Sequence, residues 1–240
     1  MIQLHFARLQ TALFLTSLDI TQKLDLATNI RDASGGLLGA DPIVLPVPSE
    51  GPPEIPRLIL KSSDGLWTYQ VSGNRIDLIF ELPPANLGTV DYAEIVDKQA
   101  DISGAVWETI QPKHSISGNR IGLVSLFLGS PENPVRFLRS QFITPTDAPE
   151  PHELQLHALH RMLLGSVTVN RWVRCIVGEP PPKLRPQGSL RVELDINTVP
   201  GQNFGLTSGK ISKFTHDAKG LALDTLASLF EGNSSKTGVF

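Results

Sequence analysis

The chain has 240 residues, with 21 Lys and Arg against 24 Asp and Glu, a formal net charge of −3 and a single Cys. It is long enough to bury the core of one large domain or two small ones. The near-neutral balance argues against a nucleic-acid binder that works through a general basic field, and one Cys builds neither a disulfide framework nor a Cys-rich zinc site.

Met1–Leu15 opens with Ile2, Leu4 and Phe6 in alternation and reads as a long strand. Arg8 precedes an apolar run over Thr11–Leu18, but threonines break it and Asp19 follows where a small-residue cleavage site would stand. No stretch reaches the roughly 18 apolar residues of a membrane helix, so a cytoplasmic protein is expected. Leu18–Arg31 carries Ile20, Leu24, Ala27 and Ile30 at helical spacing, with Ser17 or Asp19 as caps and Gly35-Gly36 beyond its end. Gly39–Pro56 holds six prolines and predicts an extended connection. Arg57–Lys61, Leu66–Val71 and Arg75–Leu82 are strand-like runs separated by Ser63-Asp64-Gly65 and Gly73-Asn74, turn chemistry that predicts an antiparallel meander.

Val90–Ile102 predicts a helix capped by Thr89. Ala105–Ile110 and Arg120–Leu128 read as strands. Pro134–Phe142 reads as a short helix with Pro at its first position. Glu153–Leu164 fits a strand and a helix equally. Val167–Val177 and Leu190–Val199 are strands flanking a stiff Pro180–Pro186 linker. Ile211–Phe230 is a last helix weakened by Gly220. The strands cluster in hairpins, which predicts an α+β fold with mostly antiparallel sheet, interspersed helices and a C-terminal helix. The expected organisation is two similar α+β halves, residues 1–129 with the meander and 130–231, and a tail at 232–240. Ser72-Gly73-Asn74-Arg75-Ile76 recurs as Ser117-Gly118-Asn119-Arg120-Ile121. The repetition fits either a shared Gly-Asn turn before a strand or a duplicated unit.

Few residues offer chemistry, and no catalytic constellation or cofactor site is predicted. Gly205-Leu-Thr-Ser-Gly209-Lys210-Ile211 is one residue short of a phosphate-binding loop and has Ile211 where the magnesium-binding hydroxyl belongs. Glu153, His157 and His160 would share a helical face and could hold a metal; on a strand, His160 would point away. Glu193 and Asp195 alternate on one strand beside Arg191, a pair able to do acid–base work or bind a cation. Arg120, Arg136 and Arg139 offer a small anion or partner patch. Cys175, next to Arg174, reads as a buried apolar residue.

Three segments carry a resemblance. They are Pro56–Leu60 with Ser62-Ser63-Asp64-Gly65 and Gln70–Ile76; Asn119–Leu123 running to Phe137-Leu138; and Leu190–Ile196 followed by the helix through His216 to Phe230. Over nearly the whole chain they resemble a sporadically distributed family of uncharacterised bacterial proteins of about this length. In that family an S-x-D-G hairpin, an R-I-G-L-R strand and an L-x-L-D-I-D strand recur in this order. Val124 stands here where the family has Arg, Asn197 where it has the second Asp, and Phe80 where it has Trp. The resemblance implies a cytoplasmic protein of a patchily inherited bacterial operon and no catalytic residue.

The expected function is therefore a non-catalytic accessory protein, antitoxin-like, chaperone-like or part of a defence complex. Its expected partner is another protein encoded nearby, bound by β-addition at a strand edge, with homo-oligomerisation through such an edge as a further expectation. The competing readings are a metal-dependent enzyme using Glu153, His157 and His160, and a nucleic-acid-binding subunit. The latter requires Arg120, Arg136, Arg139, Arg171 and Arg174 to converge on one face.

Overall fold

Among the described residues nine strands build one antiparallel sheet in the order β2-β3-β4-β5-β1-β6-β9-β8-β7. In the computed structural model, residues 2–18, 22–48, 50–143, 151–177, 190–202 and 204–230 are described. The strands are β1 (Leu4–Ser17), β2 (Ile43–Val44), β3 (Leu58–Lys61), β4 (Trp67–Val71), β5 (Arg75–Glu81), β6 (Ser117–Gly129), β7 (Leu154–Leu164), β8 (Val167–Val177) and β9 (Leu190–Thr198). The helices are α1 (Lys23–Ala33), α2 (Tyr92–Lys113), α3 (Pro134–Phe142) and α4 (Ser208–Phe230). The fold is α+β, as the clustering of strand signals predicts. The halves 1–129 and 130–231 share this sheet, because β6 pairs with β9 from Gly122↔Asn197 to Gly129↔Leu190.

The meander over β3, β4 and β5 follows its turn residues, with Gly65 at φ 73°. The Pro-rich stretch contributes only the two-residue edge strand β2. Glu153–Leu164 resolves as strand, because β7 pairs with β8 along its whole length across a two-residue turn at Gly165-Ser166. Gly165 has φ 59°, the left-handed region that a first central glycine of such a turn supplies. The segments 180–186 and 232–240 lie outside the described residues.

Three expectations need correction. Ala105–Ile110 is not a strand: α2 runs on to Lys113. Its buried stripe of Val96, Gln99, Ala100, Ser103, Val106, Trp107 and Ile110 keeps three- and four-residue spacing throughout. The alternation at Ala105–Ile110 is one stretch of that stripe. The helix is capped by Asp91, whose side chain accepts from the Glu94 amide, and not by Thr89. Helix α1 starts later than expected, after Gln22 and without a side-chain cap, and ends at Gly35-Gly36, both with positive φ.

The second S-G-N-R-I copy is not a turn. Ser117, Gly118 and Asn119 already belong to β6, while the first copy's Gly73-Asn74 joins β4 to β5. A Cβ on Gly118 would lie 2.6 Å from Leu206 Cδ1 and 2.8 Å from the Phe14 carbonyl, so this glycine serves close packing. The two copies nevertheless flank β1 alike. Arg75 and Arg120 both stand opposite Phe14, and Ile76 and Ile121 both opposite Leu13.

The helices cover one face of the sheet. The row Leu60, Tyr69, Leu78, Thr11, Leu123, Ile196, Arg171 and His160 runs across eight strands on that side. Most of it is buried under α1, α2 and α4. Gln99 of α2, with no exposed surface, donates from Nε2 to Thr11 Oγ1 and to the Leu78 carbonyl and so pins the helix to β1 and β5. Tyr92 makes the matching contact to Ser125 of β6, and burial pushes its phenol up to about 12. Phe6, Phe80, Tyr92 and Phe127 pack as an aromatic cluster over the same region. Among the described residues no helix is long and apolar enough to cross a membrane.

Candidate partner-binding face

Strand alternation sends every second residue to the opposite side of the sheet. On β9 the buried Leu190, Val192, Leu194, Ile196 and Thr198 alternate with Arg191, Glu193, Asp195 and Asn197. The registers extend this second side across all nine strands. One row reads Ile43, Ile59, Gln70, Asp77, Ala12, Gly122, Asn197, Asn170 and Arg161. Among the described residues the helices pack on the other side, and on this one Ala12, Ile79 and Leu128 are buried among the charged and polar side chains.

Its charged groups are organised. Arg174 Nη1 donates to Glu193 Oε1 at 2.5 Å and Nη2 lies 3.6 Å from Asp195 Oδ2, while Arg191 Nη2 reaches Glu193 Oε2 at 2.6 Å. Burial raises the Glu193 carboxyl, but hydrogen bonds and charge from Arg191 and Arg174 outweigh it and hold the group below the usual carboxylate range. Asn197 Nδ2 donates to Asp195 Oδ1. Glu193 and Asp195 do share a face, then, but they are neutralised by arginines. A general acid or base needs a pKa near the working pH, and a carboxylate held low by two guanidiniums is the opposite case.

Around β1 lies a second cluster. The guanidiniums of Arg75 and Arg120 stack on the Phe14 ring at 5.3 Å and 4.3 Å from its centroid. Arg75 pairs with Asp77 at 2.7 Å, Gln10 Nε2 donates to Asp77 Oδ1, and Arg120 Nε donates to the Thr198 carbonyl. Burial lowers the Arg120 pKa, with Asp195 opposing. Trp172, opposite Asp195, holds the Arg174 guanidinium 5.1 Å from its ring. Between the two clusters Ala12 and Gly122 leave the sheet without a large side chain. Arg75 lies in the repeated S-G-N-R-I segment, but Phe14, Gln10 and Trp172 are not singled out by any sequence motif. Their signal is the polar–aromatic alternation along β1, β5 and β8, and it becomes specific only when the registers place these strands side by side.

The remaining candidate residues do not come together. On β7, His157 and His160 point to opposite faces, and Glu153 precedes the strand. Among the described residues no group of three or more His, Cys, Asp or Glu is placed to hold a metal. The metal trio is therefore corrected: the segment is a strand, and a period of two separates residues that a helix would align. Arg136 and Arg139 sit on α3, which packs Val135 and Leu138 on the helix side and stacks Phe137 on Phe230 of α4. Arg120 is on the other side of the sheet, so the three-arginine patch does not form. Arg171 differs from Arg174 by an odd number of residues and faces α4, where Nη1 donates to Thr225 Oγ1 and burial lowers its pKa. The convergence of five arginines required for a nucleic-acid surface is absent.

Cys175 is fully buried, and burial pushes its thiol up to about 12, the reverse of activation. Lys210 Nζ is engaged by the carbonyls of Phe204 and Gly205, so the near-phosphate loop has no lysine to offer a phosphate. A cleft of about 430 Å³ lies beside it, between the β7–β8 turn and the start of α4, walled by Leu164, Val167, Phe204 and Phe214. Asp97 of α2 pairs with His216 and Lys219 of α4, a surface tie between the two long helices. Compared with family models and with curated proteins, the chain matches none.

Proposed function

We propose that this protein is a non-catalytic, partner-binding accessory subunit that docks another protein on the uncovered face of its sheet. The observation that carries the reading is the face itself, with one whole side of a nine-stranded sheet free of helices among the described residues. Aromatics and arginines are enriched at protein interfaces, and Trp and Arg at their hot spots. Here Phe14, Arg75, Arg120, Trp172 and Arg174 are held by stacking and ion pairs before any partner arrives. Such preorganisation reduces the side-chain entropy lost on binding. Acids and arginines are interspersed, which suits a partner with complementary mixed charge better than a uniform polyanion. The implied setting is the cytoplasm of a bacterium, with the partner encoded by an adjacent gene.

Tagged protein expressed with the products of its neighbouring genes tests the reading. Wild type is expected to retain one of them, and Phe14→Ala with Arg174→Glu to lose it by at least tenfold, about 1.4 kcal/mol or more. A partner held undiminished by the double variant removes the open face from the proposal. The absence of any retained product removes the partner.

A further inference from the structure

The two edges of the sheet are unlike. β2 has two residues, with Pro42 before it and Pro46 after it, an edge blunted as solitary proteins blunt theirs. β7 has eleven residues, contains no Pro, Asp or Glu, and nothing among the described residues pairs with its outer side. Leu159 is 45% exposed and Leu163 68%. A long, largely apolar edge of this kind is a template for another strand.

The strand is also complementary to itself. Read from both ends, Leu154-Gln-Leu-His-Ala-Leu159-His-Arg-Met-Leu-Leu164 centres on Leu159. Antiparallel pairing with a second β7 about that centre sets Leu159 against Leu159. It sets Leu154 against Leu164 and Leu156 against Met162 on the helix side. On the open side Arg161 meets His157, so no arginine meets an arginine. Backbone parity agrees. The two-residue turn at Gly165-Ser166 makes Leu164↔Val167 the hydrogen-bonded pair that closes the hairpin. The even-numbered residues then bond inward to β8, and Gln155, His157, Leu159, Arg161 and Leu163 turn their amides and carbonyls outward. The same odd-numbered residues oppose one another across the proposed axis.

We infer that the chain forms a twofold homodimer by antiparallel β7–β7 pairing centred on Leu159, continuing one sheet through both copies. The occupant of this edge is a second copy of the chain, and the open face described above is left uncovered in each. The inference stands on the edge alone and does not depend on the reading of that face.

Sedimentation velocity on the full chain is expected to give twice the monomer mass at about 0.1 mM, well above the Kd of a specific dimer. Leu159→Lys places two ammonium groups against each other at the axis and is expected to weaken dimerisation at least tenfold with an unchanged circular dichroism spectrum. Leu159→Cys is expected to give a disulfide-linked dimer under mild oxidation, and Leu163→Cys, which would face Gln155 of the other copy, is expected to give little. Buried Cys175 supplies no competing link. A monomer at that concentration overturns the inference, and so does a dimer in which cysteines at 159 and 163 link equally. If Leu159→Lys does not fold, the cysteine pair still decides.

Discussion

Glu193 shows how a single side chain on the open face ties charge to stability. Its carboxyl is held below the ordinary glutamate range by Arg191 and Arg174, against the opposing effect of burial. A lowered folded-state pKa contributes stability that is present above the unfolded value, about 4.3. That stability is lost as pH falls through the lowered folded-state value. Glu193→Gln is therefore expected to be less stable than wild type at neutral pH. The gap should narrow between about pH 5 and the acid limb, as urea melts across that range would record. On the buried side the decisive quantity is volume. Ile121 of β6 is fully buried in the core on the helix-covered side of the sheet. Ile121→Ala is expected to cost about 2–5 kcal/mol by denaturant titration, with the open-face contacts left in place.

Glycines of opposite effect belong to the scale of elements. Gly165 sits at φ 59° in the turn that closes β7 on β8. A side chain there is forced into the left-handed region, so Gly165→Ala should cost about 1–2 kcal/mol. Gly220 lies inside α4 with open space where a Cβ would stand. Gly220→Ala is expected to raise the melting temperature, by about 0.5–1 kcal/mol of stability. Thermal melts of the two variants should move in opposite directions. The elements also show where sequence reading stops. The meander was legible because Asp64-Gly65 and Gly73-Asn74 carry turn chemistry locally. The second half of α2 was not, because the alternation at Ala105–Ile110 is ambiguous until α4 is present to bury the Ser103–Gly104 side. A Cβ on Gly104 would lie 3.2 Å from Ser208 Oγ, a contact from a helix about a hundred residues away in the chain.

At the scale of the whole molecule, the helices gather on one side and, among the described residues, leave the other without a helix. Trp67 and Trp107 are buried, so Trp172 is the tryptophan that a partner on the open face would cover. Acrylamide quenching is expected to fall on complex formation, and Trp172→Phe is expected to abolish that change while Trp67 and Trp107 continue to fluoresce. Local chemistry in the sequence determined the strand and helix types of most segments, the α+β class and the buried, inert setting of Cys175. Alternation, turn residues and composition act over a few neighbours and are readable there. Only the tertiary structure decided which strands are neighbours, and the candidate sites depend on that. Strand parity separated His157 from His160 and Arg171 from Arg174. Pairing of β9 with β8 brought Glu193 and Asp195 under Arg174. The flanking of β1 by β5 and β6 put Arg75 and Arg120 on the two sides of Phe14. Long-range pairing is set by how the whole chain buries its apolar faces, and no local stretch of sequence contains it.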